Sequence, residues 1–252
     1  MRSILVTGGA SGIGAGLGAE LAAAGHHLIL ADLERHDAGP IAGEIRARGG
    51  SAEAVVMDVT SDDSVAAALG SLSRPPDVVV NNAGLQHVAP LEEFPISKWD
   101  NLIQVMLTGA ARLTRAALPG MRRRGFGRVI NMGSIHSLVA SPFKSAYVAA
   151  KHGLVGFSRA LALETADVDV TINTICPSYV RTPLVEAQIA DQARARAIPA
   201  SEVVSRVMLE PMPKGVFIGY DELAAIVAFL ISHAARNITG QTIVIDGGWT
   251  AK

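Results

Sequence analysis

The chain opens on Ser3-Ile4-Leu5-Val6-Thr7-Gly8-Gly9-Ala10-Ser11-Gly12-Ile13-Gly14, and the reading of the other residues follows from this stretch. A short β-branched, apolar run passes into a glycine-rich turn and then into an Ala-rich helical pattern from Gly12 to Ala24. A glycine-rich run alone says little. Between a strand and a helix it lets the backbone approach a pyrophosphate and aims N–H groups at it from the helix N-terminus. Gly8, Ser11, Gly12, Ile13 and Gly14 are therefore expected to bind a dinucleotide.

Working outward, the same alternation of short strand and longer helix recurs along the chain. Strands are expected at Ser3–Thr7, His27–Ala31, Ala52–Met57, Val78–Asn81, Arg128–Met132, Val170–Ile175 and Thr242–Ile245. Most are apolar on consecutive residues, which suits strands covered on both faces. Helical patterns fill the intervals at Gly12–Ala24, Pro40–Arg48, Asp62–Leu72, Lys98–Arg124, Ser145–Thr165 and Asp221–Ile231, with Ser97 and Asp100 as a capping arrangement for the fourth. Right-handed crossovers then predict an α/β fold with a doubly wound, seven-stranded parallel sheet, the Rossmann arrangement, in one domain over residues 1–252. Pro183 to Tyr220 breaks the rhythm with four prolines and two short helical patterns. Its length predicts a functional insertion, a helical lid over the substrate.

Composition narrows the partners. A formal charge of −1 argues against nucleic acid, because phosphate binding needs a concentrated basic face. Arg122-Arg123-Arg124 reads as a solvated helix end. Cys176 is the only cysteine, so no internal disulfide is expected. The opening apolar stretch is too short for a signal peptide, and the longest apolar run, Leu223 to Ile231, is half a membrane span. A cytoplasmic chain with no membrane partner is the expectation.

Asp32 ends the second strand, 18 residues beyond Gly14. A carboxylate there accepts hydrogen bonds from ribose hydroxyls and repels a 2′-phosphate, which favours NAD over NADP, with Arg35 nearby as the one cation on the other side. Asp58-Val59 reads equally as a cofactor contact or as a plain turn. Tyr147 and Lys151 are four apart in a helical stretch and share a face, while Ser134 lies at the sheet's carboxyl edge. An ammonium one turn away, together with an oxidised nicotinamide, favours tyrosinate over the free phenol of pKa near 10.

Thr7-Gly8-x-x-x-Gly12-x-Gly14, Asn81-Asn82-Ala83-Gly84, Ser134, Tyr147-x-x-x-Lys151, and Pro177 with Thr182 together resemble the short-chain dehydrogenase/reductase family over essentially the whole chain. The resemblance implies hydride exchange between a nicotinamide and a carbon bearing a hydroxyl or carbonyl, with no metal. Ser134 would hold the substrate oxygen, Tyr147 would be the acid/base, and Lys151 would bind the nicotinamide ribose. It also implies cofactor contacts from Asn82, Ala83, Gly84, Pro177, Val180 and Thr182, and a homotetramer packed through the long helices and the last strand. One position departs: Met106 stands where the family usually has an asparagine of the proton relay.

Gln86, His136, Lys144 and Gln188 stand where such a fold would place them over the nicotinamide, offering a fixed cation, a titratable donor and two amides to a small carboxylate. The resemblance narrows accordingly to members that oxidise short 3-hydroxy acids such as (R)-3-hydroxybutyrate. Glu210 and Pro211 depart from that pattern in the lid. A 3-oxoacyl thioester reductase, a polyol or alcohol dehydrogenase, and a non-catalytic nucleotide-sensing protein are the alternatives.

Overall fold

The computed structural model describes residues 1–251. Seven strands form one parallel sheet: β1 (Ser3–Thr7), β2 (His27–Asp32), β3 (Ser51–Val56), β4 (Val78–Asn81), β5 (Gly127–Met132), β6 (Val170–Pro177) and β7 (Thr242–Ile245). Their spatial order is β3-β2-β1-β4-β5-β6-β7. The order reverses between β1 and β4, so the connections leaving them part to opposite sides and open a crevice at their carboxyl ends.

The helices are α1 (Gly12–Ala23), α2 (Gly39–Ala47), α3 (Asp62–Ser71), α4 (Ile96–Ile103), α5 (Gly109–Arg124), α6 (Ser145–Glu164), α7 (Pro183–Arg196), α8 (Ala200–Val203) and α9 (Tyr220–Leu230). Two apolar layers sandwich the sheet. On one face Ile4, Val6, Leu28 and Leu30 meet Leu17 and Leu21 of α1 and Leu223 and Val227 of α9. On the other, Leu5, Ile29 and Val79 meet Leu113 and Met121 of α5 and Leu161 of α6. Central strands buried on both sides explain the unbroken apolar runs, whereas edge strand β3 alternates and leaves Val56 exposed.

One element differs from its sequence reading. The single helix expected over Lys98–Arg124 begins at Ile96, with Pro95 as N-cap and no side-chain cap, so Ser97 does not cap it. It is also interrupted by a π-helical turn, Gln104–Thr108. The wider turn holds Met106, which is buried beside Gly84, Ala146 and Ala150. π-Turns cluster at functional sites, and this one lies between the cofactor loop and the helix carrying Tyr147.

A buried polar chain fixes α6 to the sheet. The Asn81 amide donates to Asn131 Oδ1 (2.7 Å), the Asn131 amide donates to Ser158 Oγ (2.8 Å), and Ser158 shares a hydrogen bond with Thr174 (2.7 Å). Each buried amide and hydroxyl is thereby satisfied across β4, β5, α6 and β6.

Candidate active site

The turn after β1 is built for close backbone contact. Gly8 has φ of 68°, and a Cβ on Gly14 would stand 2.0 Å from the Gly8 carbonyl oxygen. Gly14 therefore packs against the turn itself and shapes it from behind. Ser11 caps α1 through its extended backbone and makes no side-chain capping bond, which leaves the N–H groups of the first helical turn directed at the cleft. Thr7 Oγ1 accepts hydrogen bonds from the N–H groups of Asn82 and Ala83, both at 3.0 Å, and the Asn82 amide donates to the Thr7 carbonyl at 2.9 Å. The β1 and β4 loops are thus one cross-braced unit.

Between these loops lies a cleft of about 450 Å³. Gly8, Ser11, Gly12, Ile13, Asp32, Asp58, Val59, Asn82, Ala83, Gly84, Tyr147, Lys151 and Thr182 all line it. Gly14 supports it, Pro177 ends β6, and Val180 is buried in the core, where it bridges to Ile218. The Asp32 carboxylate is held by the N–H groups of Ala10 (3.0 Å) and Leu33 (2.8 Å) and by the His36 ring (3.0 Å). Asp58 lines the cleft and also makes a turn, its Oδ1 accepting from Thr60 N–H and Oγ–H.

Ser134 follows β5 and caps a short turn, Ile135–Ser137, its Oγ accepting from the His136 N–H at 3.2 Å. Tyr147 and Lys151 project from the first turns of α6 into the same end of the cleft. Burial raises the Tyr147 phenol above its ordinary value, and the Ser134 hydroxyl offsets this only in part. The ammonium expected to lower it is engaged elsewhere: Lys151 Nζ donates to the Met132 carbonyl at 2.6 Å and lies 5.5 Å from the Tyr147 ring centre. Burial holds Lys151 itself down at about 8.

Next to Tyr147, on its His136 side, lies a buried polar cluster. Lys144, His136 and Gln188 are 2%, 3% and 8% exposed. Lys144 Nζ reaches the Tyr179 hydroxyl at 3.3 Å, and Tyr179 stacks on Trp249. His136 stands edge-on to both Trp249 and Tyr147. Gln86 is half-buried and turned onto its own backbone, its Oε1 accepting from the His87 N–H at 3.0 Å. Its loop is tied to the cluster where Ala89 N–H donates to the Phe143 carbonyl at 3.0 Å.

Two charge states differ from the sequence reading. His136, expected to titrate, is lowered to about 3 by burial and then by Lys144, so it is a neutral imidazole at physiological pH. Lys144, expected to be a fixed cation, is lowered to about 8, first by burial and then by the Arg196 charge.

Residues 2–193 match the family model for short chain dehydrogenase. The chain belongs to the short-chain dehydrogenase/reductase family. As a member it is an oxidoreductase that uses a nicotinamide cofactor, and its Tyr147 and Lys151 line the cleft. The chain is 45% identical to D-beta-hydroxybutyrate dehydrogenase of Cupriavidus necator, over 100% of this chain and 98% of that one. It is 41% identical to the D-beta-hydroxybutyrate dehydrogenase of Rhizobium meliloti, over 100% and 99%. Among solved members of the family, a variant of actinorhodin polyketide ketoreductase with NADPH superposes with a TM-score of 0.94 at 30% identity, covering 100% of this chain and 98% of that one.

Tyr179, Arg196 and Trp249 belong to the cluster, Gln192 joins it through Arg196, and none of the four was singled out from the sequence. Gln188, Gln192 and Arg196 recur every fourth residue, a helical stripe visible in the sequence once α7 is assigned. Tyr179 and Trp249 carry no such local signal. They meet only because β6 and the C-terminal segment end side by side.

Proposed function

We propose that this protein catalyses the reversible oxidation of (R)-3-hydroxybutyrate to acetoacetate with NAD as acceptor. The observation that carries this reading is the Lys144 ammonium. It is 2% exposed and has three N–H donors, yet its protein partner is one tyrosine hydroxyl, and no carboxylate pairs with it among the described residues. A buried charge left in that state is costly unless an anion completes it. A small carboxylate lying against Lys144, with His136, Gln86 and Gln188 as further polar contacts, puts a 3-hydroxyl within reach of Ser134 and Tyr147.

The cleft also suits the dinucleotide. The first-turn N–H groups of α1 suit a pyrophosphate, the anchored Asp32 carboxylate suits unmodified ribose hydroxyls, and Lys151 suits the second ribose. Bound there, NAD supplies the hydride acceptor and a positive charge that favours tyrosinate. Ser134 holds the substrate oxygen, and Tyr147 removes its proton as the carbonyl forms. Met106 offers no side-chain amide to a proton relay, so proton movement beyond Tyr147 relies on Lys151 and backbone groups. Positioning by the clamp is the larger part of the rate gain, since it turns an encounter into an aligned pair.

The same reading makes Pro183 to Tyr220 a lid, because α7 carries Gln188 and sets Arg196 over Phe143, the neighbour of Lys144. It also makes the protein a homotetramer packed through α5, α6 and edge strand β7, where Leu163 and Val244 stand exposed. Light scattering measures the assembly. Formation of NADH from NAD, or of NADPH from NADP, with both enantiomers of 3-hydroxybutyrate, a neutral secondary alcohol and a 3-hydroxyacyl thioester tests the activity. Preference for the R acid with NAD is the expected result; preference for the thioester or the neutral alcohol overturns the assignment.

A further inference from the structure

Gln192 is fully buried on α7, and one contact sets the direction of its amide. Its Oε1 accepts from the Arg196 Nε–H at 3.0 Å, which leaves Nε2 pointing away with no protein partner. The neighbouring amide one turn back is oriented oppositely. Gln188 Nε2 donates to the Leu184 carbonyl at 3.0 Å, and it is Oε1 that lacks a partner. A carboxylate can only accept hydrogen bonds. Gln188 therefore meets a carboxylate only through its second Nε2 N–H, whereas Gln192 Nε2, with both N–H groups free, adds a further donor.

Arg196 does more than orient that amide. Its guanidinium carbon lies 5.8 Å from the centre of the Phe143 ring, and Phe143 immediately precedes Lys144. Phe143 has φ of 69°, a left-handed backbone that a bulky residue holds only when its surroundings enforce it. The groups facing Lys144 are therefore Tyr179, His136 and the Arg196 charge, with no acid among them.

We infer that Gln192 and Arg196 are a positioning pair for the substrate anion: Arg196 holds the Gln192 amide with its N–H groups toward the clamp, braces the Phe143–Lys144 turn, and adds a second cation behind the first. This rests on the reading of the cluster as a carboxylate clamp. It adds to that clamp a donor and a charge from the lid helix, so anion binding and docking of α7 become one event.

Butyrate is the direct probe, since it carries the carboxylate and no oxidisable hydroxyl. Its binding to the NAD-loaded protein can be followed by tryptophan fluorescence, with butyramide as the neutral control. Gln192→Met should weaken butyrate about tenfold, the loss expected for one hydrogen bond to a charged group, and leave butyramide unchanged. Arg196→Gln should lose a similar factor and also move upward the pH at which butyrate affinity falls, because Lys144 no longer faces a second cation. Arg196→Lys should keep that pH while losing the affinity. Should Gln192→Met not fold, Gln192→Glu retains the Arg196 contact, and its added charge should weaken butyrate by more than tenfold.

Butyrate affinity equal to the parent's, an equal loss for butyrate and butyramide, or an unmoved pH midpoint in Arg196→Gln overturns the pair. Turnover of 3-hydroxybutyrate by the parent is a separate reading. If it is absent while the butyrate responses hold, the substrate assignment fails and the pair stands. If turnover is present and the responses are absent, the pair alone fails.

Discussion

The two halves of the cleft solve opposite problems. Around the β1 and β4 loops the protein's own polar groups are nearly all paired. Thr7 braces Asn82 and Ala83, three donors hold the Asp32 carboxylate, and Asn81 begins a satisfied chain to Thr174. Around Lys144 they are not: His136 Nδ1, Gln188 Oε1 and Gln192 Nε2 are buried without partners. A satisfied region is rigid and stable alone, and presents backbone to its ligand. An unsatisfied one carries stability lost in the free protein that a complementary ligand restores, and it presents side chains. Cofactor and substrate recognition should therefore separate cleanly under mutation.

Tyr147→Phe gives the largest effect because it touches the chemistry both halves serve. Turnover should fall by about a hundredfold to ten-thousandfold with melting temperature and cofactor affinity retained; a variant with near-normal turnover would place the acid/base elsewhere. Lys144→Met tests the clamp alone. KM for the hydroxy acid should rise on the order of tenfold to a hundredfold, with NAD affinity unchanged. An unchanged KM breaks the contrast between the halves.

The pH profile sharpens it further. The free Lys144 site titrates near 8, and only its ammonium attracts a carboxylate. Apparent affinity for the acid should hold below that pH and fall by about tenfold per unit well above it, while the affinity for a neutral alcohol stays flat. On the cofactor side, Asp32→Ser removes the anion that repels a 2′-phosphate. The ratio of kcat/KM for NAD to that for NADP should fall several-fold, and KM for the acid should not move. Met106→Asn should matter least to rate. It buries an amide in the apolar cluster with Ala146 and Ala150, lowering stability by about 1–3 kcal/mol with kcat near the parent's. A large rise in kcat would show that the methionine had been limiting proton movement.

The same contrast explains what could be read from the sequence. The glycine turn, Asn81 to Gly84 and Asp32 act through backbone and strand ends, so contiguous motifs and strand position reveal them. Helical spacing and the carboxyl edge of the sheet gave Ser134, Tyr147 and Lys151 only a shared location, and their proposed roles came from the family resemblance. The proposed clamp draws on the turn after β5, the approach to α6, one face of α7 and the C-terminal segment. Tyr179 and Trp249 meet only in three dimensions. The depressed pKa values of Lys144 and His136 arise from burial, which no local pattern encodes. The π-turn around Met106 escaped for a related reason, since its residues are ordinary helix formers and the irregularity comes from packing.

Lys144 has one more consequence, for the heat and proton balance of binding. Near pH 8 about half of the free molecules carry a neutral amine there, and an arriving carboxylate fixes the charged form. Association should then draw about half a proton from solution per site, so the measured binding enthalpy should vary with the ionisation enthalpy of the buffer. The site would act as a small reversible proton sink, filled when the anion enters and emptied when it leaves.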